Sequence, residues 1–307
     1  YRATGTLAEL APLSSAAYAQ VTDELMYLAG LGDADPGVPR EGRILLGIAG
    51  QNVDVLLSSF PARLGRAVTL RFLDNDIATD TTAGLDRLIP DPEARERVRT
   101  LRRRANGLTL VVGPPGGGKT TLRYGILRES VDAGQKIMTI EDPIVQELDG
   151  VTQAQVDPAK GLTVAAALRS MQGGAPDLVM CHGMRDAESA HLLAQMSLSG
   201  RRVLTSVEAG DCYAAYRALL GLGLEPILAL SAIQGVVATR PVRRICDHCR
   251  TEFVPTEAHA RQVSELLGSP GASRFSQGAG CERCRNTGYQ GRLLVVEVSI
   301  ATNEIRD

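Results

Sequence analysis

Residues 107–121 read GLTLVVGPPGGGKTT, and the fold is decided there. The first half, 107–113, is short, β-branched and almost continuously apolar, as a strand buried on both faces should be. The second half, Gly113-Pro114-Pro115-Gly116-Gly117-Gly118-Lys119-Thr120-Thr121, fits G-x-x-x-x-G-K-[ST] and runs into a helical stretch at 119–133. Glycines let the backbone turn so that successive N–H groups face phosphate oxygens, and the helix adds its positive end at the same spot. Lys119 is the candidate for the β- and γ-phosphates, and the Thr120 hydroxyl the candidate ligand for Mg²⁺. A glycine-rich turn that merely caps a helix is the bland alternative. The strand–loop–helix order weighs against it.

Downstream, the runs 136–142 (KIMTIED), 177–181 (DLVMC) and 201–207 (RRVLTSV) have the same buried-strand character. Helical stretches at 162–172 and 186–199 separate them. Such alternation predicts an α/β fold with a parallel sheet covered on both faces. Ligands in these sheets bind outside the carboxyl ends of the strands. Glu141 and Asp142 stand at one such end, where a carboxylate can orient or deprotonate a water. On spacing alone, a turn acid ahead of Pro143 fits equally well.

Upstream, residues 14–31 have helical spacing with a capping serine, residues 43–58 read as a hairpin around Gly-Gln-Asn, and 67–74 reads as a further strand. Together they predict a small α+β module over 1–76. A linker and a charged helix occupy 77–106, and the P-loop domain fills 107–307. The charged helix, 90–107, carries six arginines. They can grip phosphate backbones or simply form a solvated face, and the interleaved Glu93 and Glu96 favour the second reading.

The balance of 33 basic against 35 acidic side chains speaks against a dedicated nucleic-acid binder. No apolar run approaches the ~20 residues of a membrane-spanning helix. The chain begins at Tyr1, as a processed chain or a fragment would. Four of the six cysteines form C-x₂-C-x₃₁-C-x₂-C: Cys246, Cys249, Cys281 and Cys284. In a nucleotide-binding chain such knuckles suggest thiolate ligands of a tetrahedral Zn²⁺, closed and therefore structural. The long spacer leaves unmetallated thiols or disulfides open. His248 is read as a spectator, and Cys181 and Cys212 as packed core thiols.

Taken together, VPREGRI…VDVLLSSFP, GPPGGGKTT, TIEDP, LDGVTQAQVDPAKGLTVAAALRSM, GLGLEPILALSAIQGVVATRPVRRICDHC and CERCRNTGYQGRLLVVEV resemble, in order and across almost the whole chain, the type II secretion and type IV pilus assembly and retraction ATPases, the GspE/PilB/PilT family. The resemblance implies a RecA-like motor domain behind an N-terminal module, with Tyr1-Arg2 inside that module's first strand. It also implies a ring, a hexamer, with ATP bound between module and motor. Hydrolysis would drive an inner-membrane platform protein from the cytoplasmic side, extending a pilus or pseudopilus. The cysteine clip points to the assembly branch and to a structural Zn²⁺.

Against that pattern the chain departs at three places. Family members carry Gly-Glu-[Ile/Met]-Arg-Asp where this chain has His182-Gly183-Met184-Arg185-Asp186, so Gly183 replaces the glutamate expected to hold Mg²⁺. Imidazole from His182 is a poor substitute for a hard oxygen ligand, and Asp177 begins the strand, roughly 20 Å from its ligand end. A Thr-Leu-His-Thr-Asn box is replaced around Glu208-Ala209-Gly210, with Glu208 in the histidine's place. Leu56 stands where the family shows an arginine that reaches a neighbouring subunit's nucleotide, leaving Arg71 as a candidate for that reach. Glu188 and Glu208 are the candidates for a relocated acid. The expectation is an ATP-binding motor of a type II secretion or type IV pilus assembly system. The alternative is a weak or inactive ring subunit that uses ATP as a structural or regulatory ligand, alone or beside an active paralogue.

Overall fold

The structure, a computed structural model, describes residues 2–3, 6–7, 9–32, 35, 37–48, 51–63, 65–73, 84–131, 134–267 and 274–302. The chain divides into two compact units, Tyr1–Ala78 and Thr79–Asp307.

In the first unit the helix Ser15–Leu28 starts where Ser14 Oγ accepts from the Ala17 N–H. It lies by an antiparallel three-stranded sheet, Arg40–Ile48, Gln51–Ala62 and Gly65–Leu73. Strand alternation puts Ile44, Val55 and Leu57 on one face, where they pack with Met26 into a small core. The first hairpin pairs Ile48 with Gln51, so Gln51 and Asn52 are strand residues rather than turn residues. The link at 49–50 lies outside the described residues.

The second unit is built on seven strands in the order Tyr289–Ile300, Ile233–Ile245, Gly107–Val112, Arg202–Val207, Leu178–Cys181, Ile137–Glu141, Val151–Gln155. The expectation of a parallel sheet needs one correction. Six strands are parallel, but Tyr289–Ile300 runs antiparallel along Ile233–Ile245 and makes the sheet mixed. That pair is long because both strands extend beyond the sheet towards the cysteine clip. The central strand Gly107–Val112 is buried at nearly every position, and the two apolar clusters lie on its opposite faces, with Leu108, Leu110 and Val112 in one and Val111 in the other.

The described residues of the 77–106 stretch include two helices. Residues 77–83 lie outside the described residues, but Leu85–Leu88 and Pro92–Arg103 are helices of the second unit, with Leu85, Leu88, Val98 and Leu101 in its core. The arginines of the second helix are mostly neither solvated nor aimed at a ligand. Arg99 donates to Asp86 and to both oxygens of Glu129 at the end of the P-loop helix, and Arg97 donates to the Val298 carbonyl. No helix of the described residues is long and apolar enough to cross a membrane.

Candidate functional site

Four loops meet the carboxyl edge of the parallel strands, and each carries residues singled out above. The P-loop leaves Gly107–Val112 and enters the helix Lys119–Arg128 through Gly118, whose φ of 84° suits glycine. A Cβ at Gly118 would also lie 2.6 Å from Leu294 Cδ2, so a side chain there would displace Leu294. Lys119 Nζ donates to the Gly113 carbonyl at 2.7 Å and the Pro114 carbonyl at 3.0 Å, curling over the loop. Burial lowers the pKa of this ammonium, and the Glu208 carboxylate, 4.0 Å away and largely exposed, opposes that shift.

Glu141 does not stand as a free base. Its side chain is buried, and three donors hold its oxygens: Tyr124 Oη on one, Thr139 Oγ1 at 2.7 Å and Gln153 Nε2 at 2.9 Å on the other. The Tyr124 phenol is pushed up by burial and by the adjacent carboxylate, so it stays a donor. As placed, this carboxylate ties the P-loop helix to the strand Ile137–Glu141 and the edge strand Val151–Gln155. A role as base would require it to leave that network. The neighbouring Asp142 is exposed and pairs with Arg185 at 3.3 Å.

After Leu178–Cys181 the chain turns at His182-Gly183. Arg185 Nη2 lies 3.1 Å from His182 Nε2. A guanidinium only donates, so Nε2 accepts and the ring proton sits on Nδ1. Burial, then the Arg123 and Arg185 charges, bring the imidazole down to about 4, and it is neutral at physiological pH. A Cβ at Gly183 would meet the Ser206 carbonyl at 3.3 Å and Ser206 Oγ at 3.4 Å, a tight fit that a side chain enters only if Ser206 gives by a few tenths of an ångström. Asp177 is at the other end of the strand, where it accepts from the Lys136 N–H at 2.7 Å. Asp177 is thereby kept at the amino end of its strand. Glu188 is exposed and paired with Arg169.

Sequence reasoning passed over Arg123. It lies on the P-loop helix, 2% exposed, between Leu122 and Tyr124 of the core. Nη1 donates to the carbonyls of Cys181 and His182 at 2.9 and 2.5 Å, and Nη2 to Thr120 Oγ1 at 3.2 Å. The signal was an arginine three residues after Thr120 in an otherwise apolar turn, a spacing that puts both on one helix face. This arrangement also tests the Mg²⁺ site. Thr120, its candidate ligand, is held by a cation, and the strand end carries glycine instead of an acid, so the residues present fit a divalent ion poorly.

In the first unit Arg71 is exposed and stands directly opposite Leu56, with Arg43 on Leu56's other side. Residues directly opposed across a sheet share a face. Arg71 and Leu56 therefore share a face of the sheet.

The four clip cysteines come together as the spacing suggested, with all four sulfurs within 4.8 Å of one another. Cys246–Cys281, Cys249–Cys284 and Cys281–Cys284 are 3.9, 3.8 and 3.7 Å apart. A disulfide needs ~2.05 Å, whereas four sulfurs ~2.3 Å from one tetrahedral ion are about 3.8 Å apart. The donor set fits Zn²⁺. Between the knuckles the antiparallel pair Arg250–Phe253 and Phe275–Gly278 and the helix Glu257–Leu267 form the excursion, whose Gly/Ser end at 268–273 lies outside the described residues. Cys181 and Cys212 are buried thiols raised by burial, Cys212 to about 11.

Comparison with known proteins places this geometry. The family model described as Type II/IV secretion system protein matches residues 1–307. The chain is similar to Type II secretion system protein E of Dickeya dadantii, with 34% identity over 307 residues that cover 100% of this chain and 60% of that protein. It is also similar to the Type IV pilus assembly ATPase PilB of Thermus thermophilus, with 32% identity over 307 residues, 99% of this chain and 34% of that protein. The chain thus spans about 60% or less of the length of these relatives. Among solved structures, the pilus retraction motor PilT with bound ADP gives a TM-score of 0.60 at 20% identity, covering 87% of this chain and 66% of that one. The Legionella pneumophila ATPase DotB gives 0.59 at 16%, covering 97% and 72%. These two likenesses speak to the α/β fold alone. The match along the full chain and the identity above 30% settle descent: the chain belongs to the type II/IV secretion system protein family.

Proposed function

We propose that this chain is the ATP-binding motor portion of a type II secretion or type IV pilus assembly machine. The observation that carries the reading is the P-loop set between the buried strand Gly107–Val112 and the helix Lys119–Arg128, in a chain of this family. Family membership implies ATP with Mg²⁺, although here Thr120, the candidate ligand, is held by Arg123; the tetracysteine cluster supports a structural Zn²⁺. The chain works as a RecA-like motor in a ring, a hexamer of itself or a ring mixed with an active paralogue. The ring acts on an inner-membrane platform protein from the cytoplasmic side. The clip favours extension of a pilus or pseudopilus over retraction, and Arg71 is the candidate for reaching a neighbouring subunit's nucleotide.

A second reading has its own support: ATP is held and turned over slowly or not at all. Gly183 at the strand end, Glu208 at 4.0 Å from Lys119 and the enclosed carboxylate of Glu141 each remove a group that would act on a transferring phosphate. Steady-state MgATP hydrolysis by the purified oligomer, with ATP affinity on the same sample, separates the two. Turnover abolished by Lys119→Ala makes the chain a working motor. Binding without turnover, with hydrolysis appearing in Gly183→Glu, makes it a nucleotide-held ring subunit. Failure to bind ATP at all would sink both.

A further inference from the structure

In P-loop sites the divalent ion lies between the P-loop hydroxyl and an acid at the carboxyl end of another strand of the sheet. Here a protein cation joins those same two places. The Arg123 guanidinium is 2% exposed and bonds to Thr120 Oγ1 at 3.2 Å on one side. On the other it bonds to the carbonyls of Cys181 and His182, the last residues before Gly183. Its Nε has no partner among the described residues. A divalent ion with one carboxylate carries a net single positive charge, and a guanidinium beside a glycine carries the same. The exchange conserves the charge offered to the nucleotide while removing the need for a bound ion.

We infer that Arg123 is a built-in counter-ion of the nucleotide site, so that this chain binds ATP with little dependence on Mg²⁺. Arg123 acts by position and charge and is not assigned a chemical step. The guanidinium cannot be deprotonated at any working pH and is fixed by carbonyls that accept only from donors, so its charge persists whether or not nucleotide is present. The inference rests on the reading that ATP binds at the P-loop.

The test is ATP affinity of the oligomer by isothermal titration in excess Mg²⁺ and in excess EDTA. For the native chain the two affinities should agree within about threefold, since the fixed charge already offsets the phosphates. In Arg123→Leu the EDTA affinity should fall at least about tenfold more than the Mg²⁺ affinity, while Arg123→Lys keeps the native ratio. A merely structural arginine would weaken both affinities together and leave their ratio unmoved. Should Arg123→Leu fail to fold, the native ratio still decides: a tenfold or larger loss in EDTA overturns the inference. Absence of binding in both buffers would instead overturn the nucleotide reading and this inference with it.

Discussion

The Glu208 carboxylate stands 4.0 Å from the Lys119 ammonium, just past the carboxyl end of the strand Arg202–Val207, which neighbours the P-loop strand. Lysine at this position owes its use to a positive charge free to meet phosphate. An exposed acid beside it both neutralises that charge and repels the ligand. Exposed ion pairs are worth only about 0.2–1 kcal/mol, so the effect is a modulation and not a blockade. Glu208→Gln should tighten ATP binding about two- to fivefold in low salt, with the gain shrinking as ionic strength rises. Unchanged affinity at low salt would mean that the carboxylate swings clear once nucleotide enters.

A second expectation follows from the enclosure of Glu141. Removing its carboxylate leaves Tyr124 Oη, Thr139 Oγ1 and Gln153 Nε2 without their shared acceptor in a buried place. Unsatisfied buried donors cost ~1–3 kcal/mol each, partly relieved by rearrangement. Glu141→Ala should therefore destabilise the second unit by about 2–4 kcal/mol, or roughly 5–12 °C in melting temperature. Tyr124→Phe should cost a comparable amount, about 1–3 kcal/mol, because Glu141 loses one donor while the Val145 and Gln146 N–H groups lose their acceptor. If Glu141→Ala abolished turnover while melting like the native chain, the carboxylate would be a working base and its enclosure incidental.

How far these features were legible in the sequence depends on where their partners lie. The P-loop and the cysteine knuckles were readable because their chemistry requires particular residues at fixed local spacing. Glu141 was visible as a carboxylate at a strand end, but its hydrogen-bond partners were not. Tyr124 and Gln153, which occupy its oxygens, come from a helix and an edge strand that meet only in the folded sheet. Arg123 was hidden for a similar reason, since two of its three acceptors are backbone carbonyls and leave no trace in side-chain identity. The edge strand Val151–Gln155 went unrecognised because VTQAQ is polar and half-exposed, with none of the apolar run that marks its neighbours. Tyr289–Ile300 alternates well enough for a strand, yet its direction is set by pairing, which composition does not encode.

His182 supplies a pH test. Burial and two nearby guanidinium groups depress its folded value to about 4, against an ordinary value near 6.5. Between these values the unfolded chain binds more protons than the folded one, so stability rises with pH across that window. The contribution is complete above about pH 6.5 and is lost as pH falls towards 4. The ring is half-buried, and discounting for solvent gives on the order of 2 kcal/mol. In chemical denaturation at a series of pH values, His182→Asn should flatten the acid limb of the stability curve relative to the native chain. Parallel curves for the two proteins would show that the imidazole ionises freely in the fold.

The cysteine clip should hold one Zn²⁺ per chain and need it locally. Its sulfurs are spaced for a tetrahedral ion, and backbone N–H groups of Cys281 and Gly288 also point at Cys284 Sγ, at 3.2 and 3.3 Å. Burial works against the thiolate of Cys284, but these donors outweigh it and bring the group down to about 6, ready for a metal. The surrounding backbone has no slack. A Cβ at Gly278 would fall 1.9 Å from the Gly288 carbonyl, so the two chain segments lie in contact. The fold of the sheet does not depend on the clip in the same way, because the cores around Gly107–Val112 contain none of its cysteines. Metal analysis should therefore find one zinc in the native chain and none in Cys284→Ser. Chelation should expose the Arg250–Phe253 and Phe275–Gly278 ribbon to proteolysis while ATP affinity stays within about twofold, as expected for local unfolding away from the P-loop. A Cys284→Ser chain that keeps full zinc, or native thiols that resist alkylation until a reductant is added, would replace the metal reading with three-ligand binding or with disulfides respectively.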